Sequence, residues 1–89
     1  MDSDAEGREH LRAAFFEIVE NQLRDNDPPE TNQTLRRLMA LGQPRDQAVR
    51  LIAAVVANEI VDILKANSPF DEERYVARLK DLPALPQDE

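Results

Sequence analysis

The sequence has no cysteine, no tryptophan, a single histidine (His10), two glycines and two lysines (Lys65 and Lys80) among its 89 residues. Each shortage closes off some chemistry. Without cysteine there is no disulfide, no thiolate metal site and no thiol nucleophile. One histidine cannot build a site that needs two imidazoles. Cationic side chains are outnumbered: 11 Lys+Arg face 18 Asp+Glu, a formal charge of −7. A nucleic-acid binder needs a basic surface to displace counterions, so this balance disfavours that partner. Long apolar runs are missing too. The longest, Leu51 to Ala57, has seven residues, against about 20 for a membrane span. The opening residues Met1-Asp2-Ser3-Asp4-Ala5-Glu6 are acidic and lack the basic-then-apolar order of a signal peptide. The expectation is a cytoplasmic protein with no membrane partner.

What is present reads as one small domain near the lower size limit for a self-sufficient core. The acids split into nine Asp and nine Glu, and nine of the eleven basic residues are Arg. Two accounts of that bias stay open: solubility by self-repulsion in a salty cytoplasm, or a GC-rich coding sequence.

The apolar spacing predicts four helices and no strand. Residues 1–7 are expected to be disordered, because Gly7 weakens the capping-box spacing of Ser3 and Glu6. From about Arg8, Leu11, Phe15, Ile18 and Leu23 recur at helical spacing until Asp25-Asn26-Asp27-Pro28-Pro29. The second helix is expected from about Glu30 to Leu41, with Leu35, Leu38 and Met39 inward and Arg36 and Arg37 outward. Gly42 is placed to end it in a left-handed cap. The third helix, about Pro44 to Ala66, is the central one. Val49, Ile52, Val56, Ile60 and Ile63 form its stripe, widened by Leu51, Val55 and Leu64, while Ala53, Ala54 and Ala57 allow close approach. Asp71 is placed to cap the fourth helix, which runs to about Leu82. Phe70 and Tyr75 have the spacing of a hydrophobic staple across that cap. Residues 83–89 read as a disordered acidic tail, leaving 8–82 as a single helical domain. The fold class is all-α: a small four-helix bundle with a long central third helix.

Candidate chemistry is sparse. As a catalytic base His10 would need a nucleophile or acid brought near by folding, and the sequence offers no such constellation. Glu17 with Glu20, and Glu59 with Asp62, are acid pairs three residues apart. They read as solvated helix faces, because di-metal bundles add histidines that are absent here. Asn21 and Gln22 read as structural amides. The second helix, Gly42 and the third helix have helix-turn-helix order, offering Arg45, Gln47 and Arg50 to a groove, with Asp46 among them. No catalytic residue, cofactor or metal ligand is assigned.

Val19-Glu20-Asn21-Gln22-Leu23, Asp27-Pro28-Pro29, Thr34-Leu35-x-Arg37-Leu38 with Gly42, and Phe70-Asp71-Glu72-x-Arg74-Tyr75 after a long apolar helix have the order and spacing of a known family. On these motifs the chain resembles the DUF1841-like family of small bacterial helical domains of unknown function, from about His10 to Leu82. The resemblance implies two His-x-x-x-His pairs, one on the first helix and one at the start of the third. Those positions hold Arg12 and Phe16, and Asp46 and Arg50, in this chain. A metal site implied by the family is therefore expected to be lost. In its place a substituted network is expected, with Asp46 paired to Arg50, Arg12 joining them and Phe16 filling the pocket.

The leading functional expectation is a non-enzymatic helical accessory or protein-interaction domain, with a protein partner or a second copy of the chain. Self-association is motivated by aliphatic residues that a bundle this small cannot all bury: Leu51, Val55, Val61, Leu82 and Leu85. The alternatives are a metal-binding or metal-sensing protein, through the resemblance, and a helix-turn-helix nucleic-acid binder.

Overall fold

Proline, asparagine and glycine divide the chain into four helices. In the computed structural model, which describes residues 2–85 and side chains from residue 7 on, they are α1 (Asp2–Asp25), α2 (Pro29–Ala40), α3 (Arg45–Ala66) and α4 (Glu72–Asp81). No strand occurs among the described residues, so the expected all-α architecture holds. Among the described residues no helix is long and apolar enough to cross a membrane.

Three helices end on a left-handed residue. Asn26 (φ 53°), Gly42 (φ 104°) and Asn67 (φ 51°) follow α1, α2 and α3. This conformation suits glycine, and asparagine better than most other residues. After α2 the Gln43 N–H reaches Leu38 O at 3.0 Å and the Gly42 N–H reaches Met39 O at 3.0 Å. Carbonyls left open by the helix end are satisfied in this way. At the other end of α2, Pro28 and Pro29 occupy the cap and first-turn positions, where a missing N–H leaves no donor orphaned. Asp71 caps α4, its carboxylate accepting the Arg74 N–H at 3.3 Å. The Phe70 and Tyr75 rings pack with centroids 6.0 Å apart, completing the expected staple.

One boundary differs from the sequence expectation. The α1 backbone is helical from Asp2 rather than from Arg8. Acidic residues early in the chain favour a helix N-terminus, and one internal glycine costs only about 1 kcal/mol. The Ser3 and Glu6 side chains, Met1, and residues 86–89 of the expected tail lie outside the described residues.

Helix α3 packs against all three others, and α2 does the same; α1 and α4 are not direct neighbours. The core therefore lies around the α2–α3 pair, where Leu35, Leu38, Val49, Ile52 and Val56 are buried, with Val19 of α1 and Leu79 of α4. Val55 and Leu82, doubtful for burial in so small a bundle, are fully inside. Met39 and Leu64 were expected inward and are instead 45% and 75% exposed. Both lie close to the end of a helix, where periodicity continues but no neighbouring helix covers it. Val61 and Leu85 also stay exposed.

Arg37 overturns a second expectation. It is half-buried rather than outward. Its Nη1 donates to Leu82 O at 2.7 Å and its Nη2 to Leu79 O at 2.9 Å. A cation thus supplies the missing donors at the C-terminal end of α4 and meets the negative end of its dipole. Arg37→Ala is expected to lower the unfolding free energy by about 2 kcal/mol, and exposed Arg36→Ala to change it by less than about 0.5 kcal/mol. Urea melts of the two variants check this; equal costs would refute the capping role.

Candidate functional site

On α1, Arg8, Leu11, Arg12, Phe15 and Phe16 fall at i, i+3, i+4, i+7 and i+8, which places them on one helix face. On α3, Arg50, Ala53, Ala54 and Ala57 repeat the pattern at i, i+3, i+4 and i+7. Where the two helices pack, these faces border an open groove of about 340 Å³. The alanines keep one wall shallow, and half-buried Phe15 and Phe16 line the other. Leu11 remains 58% exposed at its edge. Arg8, Arg12 and Arg50 stand exposed around it, and no carboxylate is among the described side chains that line it.

Three of the four residues singled out through the family resemblance thus meet: Arg12, Phe16 and Arg50 share this groove. Asp46 does not line it. Its Oδ1 accepts the backbone N–H of Gln47 at 3.1 Å, and no ion pair joins it to Arg50 or Arg12 among the described residues. The expected Arg12–Asp46–Arg50 network is corrected to an arginine-edged groove without its acid. An exposed pair four residues apart gains only a few tenths of a kcal/mol, which a local backbone donor can outweigh.

The arginines divide by what they already hold. Arg24 pairs with Asp25. Arg37 caps α4, and Arg45 clasps Glu20 through two bonds of 3.0 and 3.1 Å. That bond and the charge of Arg45 hold the Glu20 carboxyl below its ordinary value. Arg74 and Arg78 both hold Glu59. Four arginines stay uncommitted among the described residues, namely Arg8, Arg12, Arg36 and Arg50, and three of them border the groove. The helix-turn-helix reading loses Arg45 to Glu20, while Arg50 turns toward the α1–α3 groove.

Glu59 was read as part of a solvated face and is 2% exposed. Arg74 Nε lies 3.0 Å from its Oε1 and Arg78 Nη1 lies 2.8 Å from its Oε2, while Arg78 Nη2 meets Asp62 at 2.6 Å. Two acids one turn apart on α3 face two arginines one turn apart on α4, so the cluster is neutral. A buried carboxylate persists only when paired in this way. One nitrogen, Arg74 Nη2, is buried without a hydrogen-bond partner. Close by, Gln22 Oε1 accepts from Thr31 Oγ1 at 2.7 Å and from Tyr75 OH at 2.8 Å. This joins α1, α2 and α4 and confirms the structural role of that amide. A smaller cleft of about 190 Å³ touches Gln22, Glu59 and Tyr75. Its carboxylate, phenol and amide oxygen are already bonded within the chain, whereas the groove arginines are not.

His10 is exposed on α1. No group of three or more His, Asp or Glu able to hold a metal ion forms among the described residues. No protein-family model, curated protein or solved structure matches this chain.

Sequence reasoning missed Glu59 although a signal was present. It lies three residues after Val56 and seven after Ile52, in register with the buried stripe. Arg74 and Arg78, at i and i+4 on α4, are the partners such an acid requires. A meeting of Arg12 and Phe16 with Arg50 was expected through the family resemblance, but not the alanine floor beside them or the absence of Asp46 from the lining.

Glu59→Ala is expected to destabilise the fold by about 3 kcal/mol. Glu20→Ala, at a half-exposed pair, should cost less than about 1 kcal/mol. Denaturant melts that reverse this order would overturn the assignment. Burial raises Tyr75 above its ordinary value of 10.0, opposed by its contacts with Thr31 and Gln22 and reinforced by Glu59. The folded state then keeps a proton that the unfolded chain gives up. Its stabilising contribution is complete below that ordinary value and is lost as pH rises through the folded value. Tyr75 is the only tyrosine, so its ultraviolet ionisation is unambiguous. Ionisation should be delayed relative to the unfolded chain, and alkaline loss of stability should be smaller in Tyr75→Phe.

Proposed function

We propose that this protein is a non-enzymatic helical interaction domain whose docking face is the α1–α3 groove. One observation supports this reading above all: uncommitted arginines gather around an apolar surface that the chain itself leaves open. Binding faces combine an apolar centre that excludes water with polar groups at the rim that fix orientation, and arginine is enriched in them. The domain's other charged cluster, around Glu59, is internally neutral and explains the docking of α4 rather than an activity.

The resemblance to the DUF1841-like family belongs to the same proposal. It brings no established activity. Its histidine positions hold Arg12, Phe16, Asp46 and Arg50 here, so the reading does not route function through a metal. The groove occupies part of that position with a different chemistry: guanidinium and aryl groups in place of imidazoles.

A photo-crosslinking amino acid placed at Leu11 or Ala57 in the full chain, in cells, tests the reading. A discrete cross-linked protein is expected from both positions, and none from Lys80 on the far helix. Cross-linking of equal pattern from all three positions would overturn the groove as the docking face.

A further inference from the structure

Resting on that reading, we infer that the groove receives an acidic amphipathic α-helix of a partner protein. Charge supports this first. The chain as a whole carries −7, yet this face offers Arg8, Arg12 and Arg50 with no carboxylate among the described side chains that line it. A ligand that is itself acidic is repelled by most of the molecule and attracted here. Such a field selects an orientation and speeds encounter.

Shape supports the helix. Arg8 and Arg12 stand four residues apart on α1, about 6 Å along the axis, so they can meet acids on successive turns of a neighbouring helix. Arg50 approaches from α3. Between them Ala53, Ala54 and Ala57 keep the α3 surface low over five residues, about 6 Å or one turn. Small side chains let another backbone come close, and Leu11, Phe15 and Phe16 offer the apolar contacts that anchors at i, i+3, i+4 and i+7 require. The groove is open rather than enclosed, which suits a rod lying along it better than a single acyl chain. A second copy docking the same face would bring two sets of three arginines together without acids between them, an arrangement that like-charge repulsion disfavours.

The test uses the intact protein and a labelled peptide of about four helical turns, with Leu at the anchor positions and Glu on the flanks. A twin peptide carries Lys in place of Glu. Fluorescence anisotropy is expected to show saturable binding of the Glu peptide, weakening as salt is raised, and at least about tenfold weaker binding of the Lys twin. R12E with R50E should reverse that preference, and R36E, away from the groove, should leave it unchanged. Circular dichroism establishes that the variants fold; R12Q with R50Q, which should lose the Glu peptide by about tenfold without gaining the Lys twin, serves if the reversed variant does not. Equal binding of the two peptides, or no effect of either double variant, would overturn the inference. So would displacement of the Glu peptide by a twelve-carbon carboxylate at concentrations below its micelle threshold, or a dimer in sedimentation that Ala57→Arg abolishes. If cross-linking from Leu11 captures a partner segment that is basic, the inference fails while the docking face stands. If neither cross-linking nor peptide binding occurs, the docking face falls as well.

Discussion

The Glu59 carboxylate lies within the bundle, and a charge in that position must be neutralised where it sits. Two arginines from α4 do so, and the placement of α4 follows from them. Once Arg74 and Arg78 hold Glu59 and Asp62, the next position, Tyr75, is directed inward, where its hydroxyl meets Gln22 of α1. Helices α1 and α4 have no direct backbone contact, so this hydrogen bond joins two elements that α2 and α3 otherwise separate. The C-terminal end of α4 is secured independently, by the guanidinium of Arg37. Polar bonds thus locate α4 at its middle and at its end, while Leu79 and Leu82 supply the burial.

The same division of arginines separates the molecule into two sides. Around α4 every guanidinium is engaged: Arg37 with carbonyls, Arg74 and Arg78 with carboxylates. On the first half of α1 and the facing part of α3 they are not. That side has only two helices to cover it, because α4 makes no backbone contact with α1, and Leu11, Phe15 and Phe16 are left partly in water. A bundle of this size has too little chain to cover both sides. The exposed apolar surface and the cations uncommitted among the described residues therefore arise at the same place.

Much of this was legible residue by residue. Pro28, Pro29 and Gly42 place the helix boundaries on either side of α2, because backbone dihedrals and missing donors are local properties. The Asp71 cap and the Phe70–Tyr75 staple are local too, and both form. The errors concern orientation. Arg36 and Arg37 are adjacent in sequence and were assigned the same fate, yet the carbonyl ends of α4 await only Arg37. Met39 and Leu64 extend apolar stripes beyond the reach of any neighbour. For the groove, the sequence showed an apolar stripe with Leu11 and Phe15 on one helix and alanines allowing close approach on another. It also singled out Arg12, Phe16 and Arg50, though with Asp46 as their partner.

By itself, then, the sequence determined the number of helices, most of their ends, the buried stripe of α3 and the exclusion of cysteine and multi-histidine chemistry. Those properties depend on composition and on neighbours within a few residues. Only the tertiary structure decided that Glu59 is interior, that Arg37 caps another helix, and that Arg12, Phe16 and Arg50 border an open groove that Asp46 does not line. Each of these depends on which elements come together across tens of residues, as with the 15 residues between Glu59 and Arg74 or the 45 between Arg37 and Leu82. The period of one helix records that a face exists, but what lies opposite it is set by packing.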